Sequence, residues 1–260
     1  MKRISIIGAG AMGGAIAAGL SRAGYSVTVS NRSRGKLDAL AAEYGVAVTL
    51  SNVEAVKDAD VVIFAVKPYV LPGVIAEVAP AIDYSRTVVA SLVPGFSLAD
   101  LREALGASAA AAPIARVMPN TAAAVGKSMT FVCLNDEARC HEGLFKAMFD
   151  SIGTTAVVDE RLFGAATALC SCGIAYAMRY IRAASEGGVE LGFRASEACE
   201  YVCRTVEGAA ALIGAQKIHP EAAIDNVTTP GGLTIKGLNV MEKSGFTAAV
   251  IDGLKASAGK

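Results

Sequence analysis

Gly8, Gly10 and Gly13 stand in the spacing Gly-x-Gly-x-x-Gly, directly after the apolar run Ile4-Ser5-Ile6-Ile7. That spacing suits phosphate binding. Gly8 permits a tight turn out of a strand, Gly10 lets the backbone approach a pyrophosphate, and Gly13 lets the next helix lie close to a sheet. Ala11 and Met12 complete the turn. The N–H groups at the helix start then offer donors and the positive end of the helix dipole to the phosphates. The hexapeptide alone is a weak signal. Its place between a strand and a helix gives it meaning, and predicts a dinucleotide site.

The end of the second strand, Ser30-Asn31-Arg32-Ser33-Arg34, bears on which dinucleotide binds. A carboxylate there would take the ribose 2′-hydroxyl of NAD; none is present. Asn31, Arg32, and Ser33 or Arg34 instead suit a 2′-phosphate. A charge-assisted hydrogen bond is worth about 1.5–3 kcal/mol, a tenfold to hundredfold preference per contact. NADPH is therefore expected ahead of NADH, with NADH still possible.

Groups for proton transfer are scarce. The two histidines are His141, in a polar helix start, and His219, before Pro220 in a loop. No His/Cys cluster has zinc spacing, and Cys170-Ser171-Cys172 is too close for a zinc knuckle. The shortage favours a substrate that brings its own proton, as a protonated imine does. Such a substrate needs position, water exclusion and one modest hydrogen-bond partner. Asp225-Asn226-Val227-Thr228-Thr229-Pro230-Gly231-Gly232-Leu233-Thr234 is a Gly-rich turn opening a helix. Its N–H groups could hold a carboxylate, with hydroxyls from Thr229 and Thr234. Taken alone, it also reads as a plain capped helix start.

Positioning these residues requires alternating strands and helices. Strands are expected at 3–7, 25–30, 46–50, 61–66, 87–92, 114–118, 129–134 and 155–158. Helices are expected at 11–23, 35–44, 53–57, 71–79, 98–105 and 136–151, with Gly24 and Gly45 as stops. The pattern predicts an α/β, doubly wound, mostly parallel Rossmann-type sheet over 1–159. From 160 to 260 only helices are expected, at 161–187, 195–213 and 233–254, the last broken near Ser244-Gly245. The first is apolar nearly all round and must be covered on every side. So small an all-helical domain predicts a second copy of the chain to cover it.

Composition narrows the partners. In 260 residues, 24 Lys and Arg balance 24 Asp and Glu, which argues against nucleic acid and a basic membrane face. Leu162 to Met178 carries no formal charge, but it is rich in small residues and flanked by Arg161, Arg179 and Arg182. It reads as a helix buried in protein and not as a span. The N-terminal residues contain no apolar signal stretch, so a cytoplasmic location and reduced, buried cysteines are expected.

With these residues in view, the chain resembles pyrroline-5-carboxylate reductases over essentially its full length. The resemblance rests, in order, on Gly8 to Gly13, Asn31-Arg32, Ala65-Val66-Lys67-Pro68, Arg116-Val117-Met118-Pro119-Asn120-Thr121, and Asp225 through Ile235. It implies NAD(P)H-dependent reduction of 1-pyrroline-5-carboxylate to L-proline, the last step of proline biosynthesis. It also implies a homodimer through the C-terminal helices, with pentamers of dimers possible. Asn31 and Arg32 would meet the adenosine phosphate, and Asn52 would lie near the adenosine ribose. Ala65, Val66, Lys67 and Pro68 would line the cofactor cleft, with Met118 and Asn120 beside the nicotinamide. Asn120, Thr229, Gly231, Gly232, Leu233 and Thr234 would surround the imino acid, Thr234 closest to its nitrogen.

Two departures matter. The family pattern Ser-Gly-Ser-Gly-Pro-Ala-Tyr reads Cys170-Ser171-Cys172-Gly173-Ile174-Ala175-Tyr176 here. Losing the proline should restore an N–H and remove a helix kink. Leu233 replaces a residue that is usually small or threonine. These changes keep a different cyclic imino acid open as substrate, and an inactive NADPH sensor as the alternative of another class. A hydroxyacid dehydrogenase would need a Lys on the first C-terminal helix, and 161–187 has none.

Overall fold

The computed structural model describes residues 2–259. The chain divides into two compact units, Met1–Ser171 and Cys172–Lys260. The last strand ends at Val157, so the helical run already begins within the first unit.

Eight strands form one sheet: β1 Arg3–Ile7, β2 Ser26–Ser30, β3 Ala47–Thr49, β4 Val61–Phe64, β5 Val88–Ser91, β6 Ile114–Met118, β7 Ser128–Leu134 and β8 Gly153–Val157. Their spatial order is β3-β2-β1-β4-β5-β6-β7-β8. Every pairing is parallel except β6 with β7. The order reverses between β1 and β4. Ligands of such sheets bind at that switch point, outside the carboxyl ends of the strands.

The apolar strands are continuous because both sheet faces are covered. On β4, Val61 and Ile63 enter one core with Ile4, Ile6, Ile16, Leu20 and Phe149. Val62 and Phe64 enter the other with Ile7, Leu71, Ile75 and Leu101. The covering helices are α1 Ala11–Arg22, α2 Arg34–Tyr44, α3 Asn52–Val56, α4 Leu71–Val78, α5 Leu98–Leu105 and α6 Glu142–Asp150. Asp136–His141, expected as the start of α6, is instead a tighter 3₁₀ segment capped by Asn135.

After α7 Phe163–Ala166 the chain forms a π-helical turn, Thr167–Cys172, before α8 Gly173–Glu190. This corrects the expectation of a regular helix once the proline is lost. At this turn the Cys170 carbonyl accepts from the Asn120 side-chain amide at 3.3 Å. The Thr167 hydroxyl also bonds back to the Phe163 carbonyl, at 2.8 Å.

In the second unit α8 packs on α9 Ala195–Gln216, with Gly188 pressed against Ala198. α10 Pro220–Asn226, α11 Leu233–Lys243 and α12 Phe246–Ser257 follow. α10 replaces the expected loop at His219-Pro220. Pro220 occupies the first helical position, where its missing N–H costs nothing, and His219 Nδ1 accepts from the Glu221 N–H at 3.3 Å.

Burial within the single chain brings one further correction, of the cysteines, and leaves the long apolar helix to be covered by a second copy. All six cysteines are free, yet only Cys133 is buried; Cys140, Cys199 and Cys203 are exposed, and Cys170 and Cys172 are half-buried. The run Glu160–Glu190 is long and apolar enough, by length and composition alone, to cross a membrane. One chain does not bury it: Leu162, Leu169, Met178 and Tyr180 are exposed.

Candidate functional site

The loop between β1 and α1 holds the three glycines in three different situations. Gly8 has φ +111°, which glycine adopts freely, and a Cβ there would lie 2.6 Å from the Ala65 carbonyl oxygen. A Cβ on Gly13 would lie 2.0 Å from the Gly8 carbonyl oxygen and 3.0 Å from the Ala65 Cβ. Both are therefore required by the protein's own packing. Gly10 is not: a Cβ there would meet no atom within 4 Å. Gly10 caps α1 without any side-chain hydrogen bond. An open glycine at an uncapped helix start, on the switch point of the sheet, fits the pyrophosphate of a dinucleotide. Ala11 is exposed and Met12 half-buried beside it.

The adenosine side is built at the carboxyl end of β2. Asn31 Oδ1 accepts from the Ala9 N–H at 3.4 Å, and its Nδ2 donates to the Ser33 carbonyl and hydroxyl, both at 3.1 Å. Asn31 therefore ties the glycine loop to the β2–α2 loop. Arg32 and Ser33 are exposed. Asn52 is fixed from two sides: Ser30 Oγ donates to its Oδ1 at 2.8 Å, and its Nδ2 donates to Glu77 Oε2 at 2.9 Å. No sequence signal pointed to Glu77, because it comes from α4, far along the chain.

At the carboxyl end of β4, Ala65 and Val66 are half-buried and Lys67 and Pro68 exposed. Ala65 and Val66 abut Gly8, so the cleft wall and the glycine loop form one surface. At the end of β6, Met118 is half-buried and Asn120 is 8% exposed. The Asn120 N–H donates to Ser128 Oγ at 3.1 Å, and its Oδ1 accepts from the Ala122 N–H at 3.1 Å. Ser128 and Thr130 lie two residues apart on β7 with hydroxyls 3.0 Å apart, both buried. Sequence reasoning missed them, although polar residues at period two within an apolar strand were a readable sign.

Arg116, two residues before Met118, pairs with Glu160 at 2.8 Å and stacks over Phe163, 4.2 Å from its ring centroid. Glu160 also accepts from the Leu98 N–H at 2.7 Å. Cys133 lies nearby, its thiol pushed up to about 11 by burial and then by the Glu160 charge. A neutral, shielded thiol of this kind is structural and not nucleophilic.

The remaining candidates lie in the helical unit. Gly231 has φ +70°, and Gly232 caps α11 with no side-chain hydrogen bond. A Cβ on Gly232 would fall 2.5 Å from Thr229 Oγ1, so glycine is what allows the Thr229 hydroxyl to sit over the helix start. Thr229, Leu233 and Thr234 are exposed, Leu233 at 87%. The first-turn N–H groups and two hydroxyls thus share one accessible helix end. Among the described residues no group of three or more His, Cys, Asp or Glu could hold a metal ion.

Comparison with known proteins places both units. The family model described as pyrroline-5-carboxylate reductase dimerisation matches residues 160–260. A model described as NADP oxidoreductase, coenzyme F420-dependent, matches residues 3–95. The pyrroline-5-carboxylate reductase 1 of Dictyostelium discoideum is 36% identical over 99% of this chain, which spans 49% of that relative. The Synechocystis reductase is 35% identical over 98% of this chain and 95% of its own length. Among solved structures, the Coxiella burnetii reductase has a TM-score of 0.91 at 30% identity, covering 98% of this chain and 96% of that one. The Plasmodium falciparum enzyme, solved with NADP bound, has a TM-score of 0.87 at 25% identity, covering 99% and 95%.

Proposed function

The chain belongs to the pyrroline-5-carboxylate reductase family and reduces 1-pyrroline-5-carboxylate to L-proline with NADPH, and we propose how its own residues divide that work. Gly10 and the N–H groups at the start of α1 hold the pyrophosphate. Asn31, Arg32 and Ser33 hold the 2′-phosphate, and Asn52 the adenosine ribose. Ala65 to Pro68 and Met118 wall the nicotinamide side and keep water away from it.

Bound NADPH supplies the hydride that reaches the imine carbon. The substrate arrives as the iminium and carries the proton that its nitrogen needs. The chain must therefore hold the ring and exclude water, and it needs no strong acid. Thr229, Gly231, Gly232 and Leu233 hold the carboxylate at the start of α11. The Thr234 hydroxyl accepts from the iminium N–H and keeps the same contact with the amine product. The observation that carries this division is the uncapped start of α11, with the Thr229 hydroxyl over it and Thr234 in its first turn.

The assembled form proposed is a homodimer through the helical unit, with five dimers as the larger form. The exposed apolar side chains of α8 support a partner there, and light scattering on the purified chain measures the size. The altered segment Cys170 to Ile174 keeps a different cyclic imino acid as the second substrate to test.

Absorbance at 340 nm with 1-pyrroline-5-carboxylate, and NADPH or NADH in parallel, tests the reaction. Thr234→Ala should lose most turnover and keep NADPH affinity. Full turnover in that variant would show that another group meets the nitrogen.

A further inference from the structure

The π-helical turn Thr167–Cys172 has one local contact, the Thr167 hydroxyl bonded back to the Phe163 carbonyl at 2.8 Å, which bends a helix without widening it by a residue. Sharp departures from α-helical geometry arise at proline, at glycine and serine pairs, or where an outside group enters the hydrogen-bond ladder. The segment Thr167-Ala168-Leu169-Cys170-Ser171-Cys172 contains neither proline nor glycine. An outside group does enter: Asn120 Nδ2 donates to the Cys170 carbonyl at 3.3 Å. A carbonyl so engaged turns away from its own helix, and the helix widens by one residue. Turns of this kind occur mostly at functional sites.

Asn120 is well placed to pull. It follows β6 at the carboxyl edge of the sheet, in the half of the fold that takes the nicotinamide. Its N–H is bound by Ser128 Oγ, and that hydroxyl is backed by Thr130 Oγ1. Ser128 is itself fixed, its N–H donating to the Ile152 carbonyl at 3.0 Å. Gly153 leaves no slack, since a Cβ there would lie 1.9 Å from the Ser128 carbonyl oxygen. Asn120 Oδ1 is taken by the Ala122 N–H. The side chain thus spends its acceptor and one donor inside the protein, and the residue is buried.

We propose that Asn120 is a positioning residue: its amide, anchored on Ser128 and Thr130, clamps the Cys170 carbonyl and holds the π-helical turn in the shape that the hydride-transfer site needs. This rests on the reductase reading and reassigns Asn120 from a substrate contact to a clamp.

The test is Asn120→Ser in the full chain, which keeps a neutral oxygen for the Ala122 N–H and is too short to reach Cys170. Misplacing a reacting geometry by about 1 Å can cost a hundredfold in rate. The expected result is a fall in kcat of about tenfold or more, with KM for the imine and Kd for NADPH within about threefold of the wild type. Backbone amides from 167 to 175 should exchange faster with deuterium. A raised KM at unchanged kcat would make Asn120 a direct substrate contact and overturn the clamp. Unchanged exchange across 167–175 would overturn it as well. If Asn120→Ser does not fold, Asn120→Asp, which caps but cannot donate when ionised, takes the same measurements. Hydrogen exchange needs no turnover, so a wild type inactive on 1-pyrroline-5-carboxylate would sink the reductase reading while exchange still decides the clamp.

Discussion

Gly10 and Gly13 differ in what they are for, and alanine substitution separates the two roles. At Gly13 the added methyl meets the Gly8 carbonyl oxygen at 2.0 Å, so backbone must move. Overpacking of this kind costs about 1–3 kcal/mol, or roughly 5 °C in Tm for a chain of this size. At Gly10 the methyl meets nothing, and the φ of −70° and ψ of −178° suit alanine. Restricting the unfolded chain stabilises by about 0.4–1 kcal/mol. Alanine is worse than glycine as a helix N-cap by a similar amount. The two offset, and Gly10→Ala should melt within about 2 °C of the wild type. That methyl instead occupies the space the pyrophosphate needs. Losing two charge-assisted hydrogen bonds costs about 3 kcal/mol or more, a hundredfold or greater rise in Kd for NADPH. Thermal melting without cofactor and fluorescence titration with NADPH read the two effects separately; bound cofactor would raise Tm by mass action. Gly10→Ala binding NADPH within threefold of the wild type would refute the placement of the pyrophosphate.

Arg32→Ala should weaken NADPH by about tenfold to a hundredfold and leave NADH within twofold; parallel weakening of both would remove Arg32 from the 2′-phosphate. Cys133, with its thiol pushed up to about 11, should have only about one thiol in a thousand ionised at pH 8. Mass-spectrometric mapping after brief alkylation should therefore find exposed Cys140 labelled and Cys133 untouched. Asp60 accepts from the Arg3 N–H at 2.7 Å, which holds its carboxyl below the ordinary value, with Lys2 and Arg86 adding to this. A carboxyl depressed on folding stabilises above its unfolded value and loses that contribution as pH falls through the folded one. Asp60→Asn should thus lower the urea midpoint at pH 7, and the gap to the wild type should close below roughly pH 4. An equal gap at pH 3 would assign the loss to packing.

The nucleotide-binding unit was legible because its signals are local. The strand, the glycine turn and the helix after it lie within about twenty residues, and fully apolar strands such as β4 announce a sheet covered on both faces. What was not legible depends on contacts remote in sequence. Glu77 reaches Asn52 from α4, and Asn120 reaches Cys170 across fifty residues. The π-helical turn coincides with that second contact, which 167–172 read alone does not contain. α10 was missed for another reason: Pro220 was read as a break, although a proline followed by Glu221 is also a helix start. The cysteines were placed inside because cysteine is so often buried, yet three of them face outward from α9 and the 3₁₀ segment before α6.

The two units bury their side chains very differently, and this decides what each can do alone. Residues up to Ser171 close two apolar cores around a complete sheet. Among the described residues of the helical unit only Ser185 and Ala198 are buried, while Phe193, Leu212, Val240 and Phe246 stand exposed. Burying a large apolar side chain contributes about 1.5–3 kcal/mol, and ordering each residue costs about as much. A unit that buries almost nothing cannot offset that cost within one chain. Its helices persist only if a second surface covers them, which is the role the matching dimerisation family assigns to residues 160–260. On the proposed placement, substrate binding at Thr229 and Thr234 would be linked to assembly by mass action, whereas dinucleotide binding at Gly10 would not.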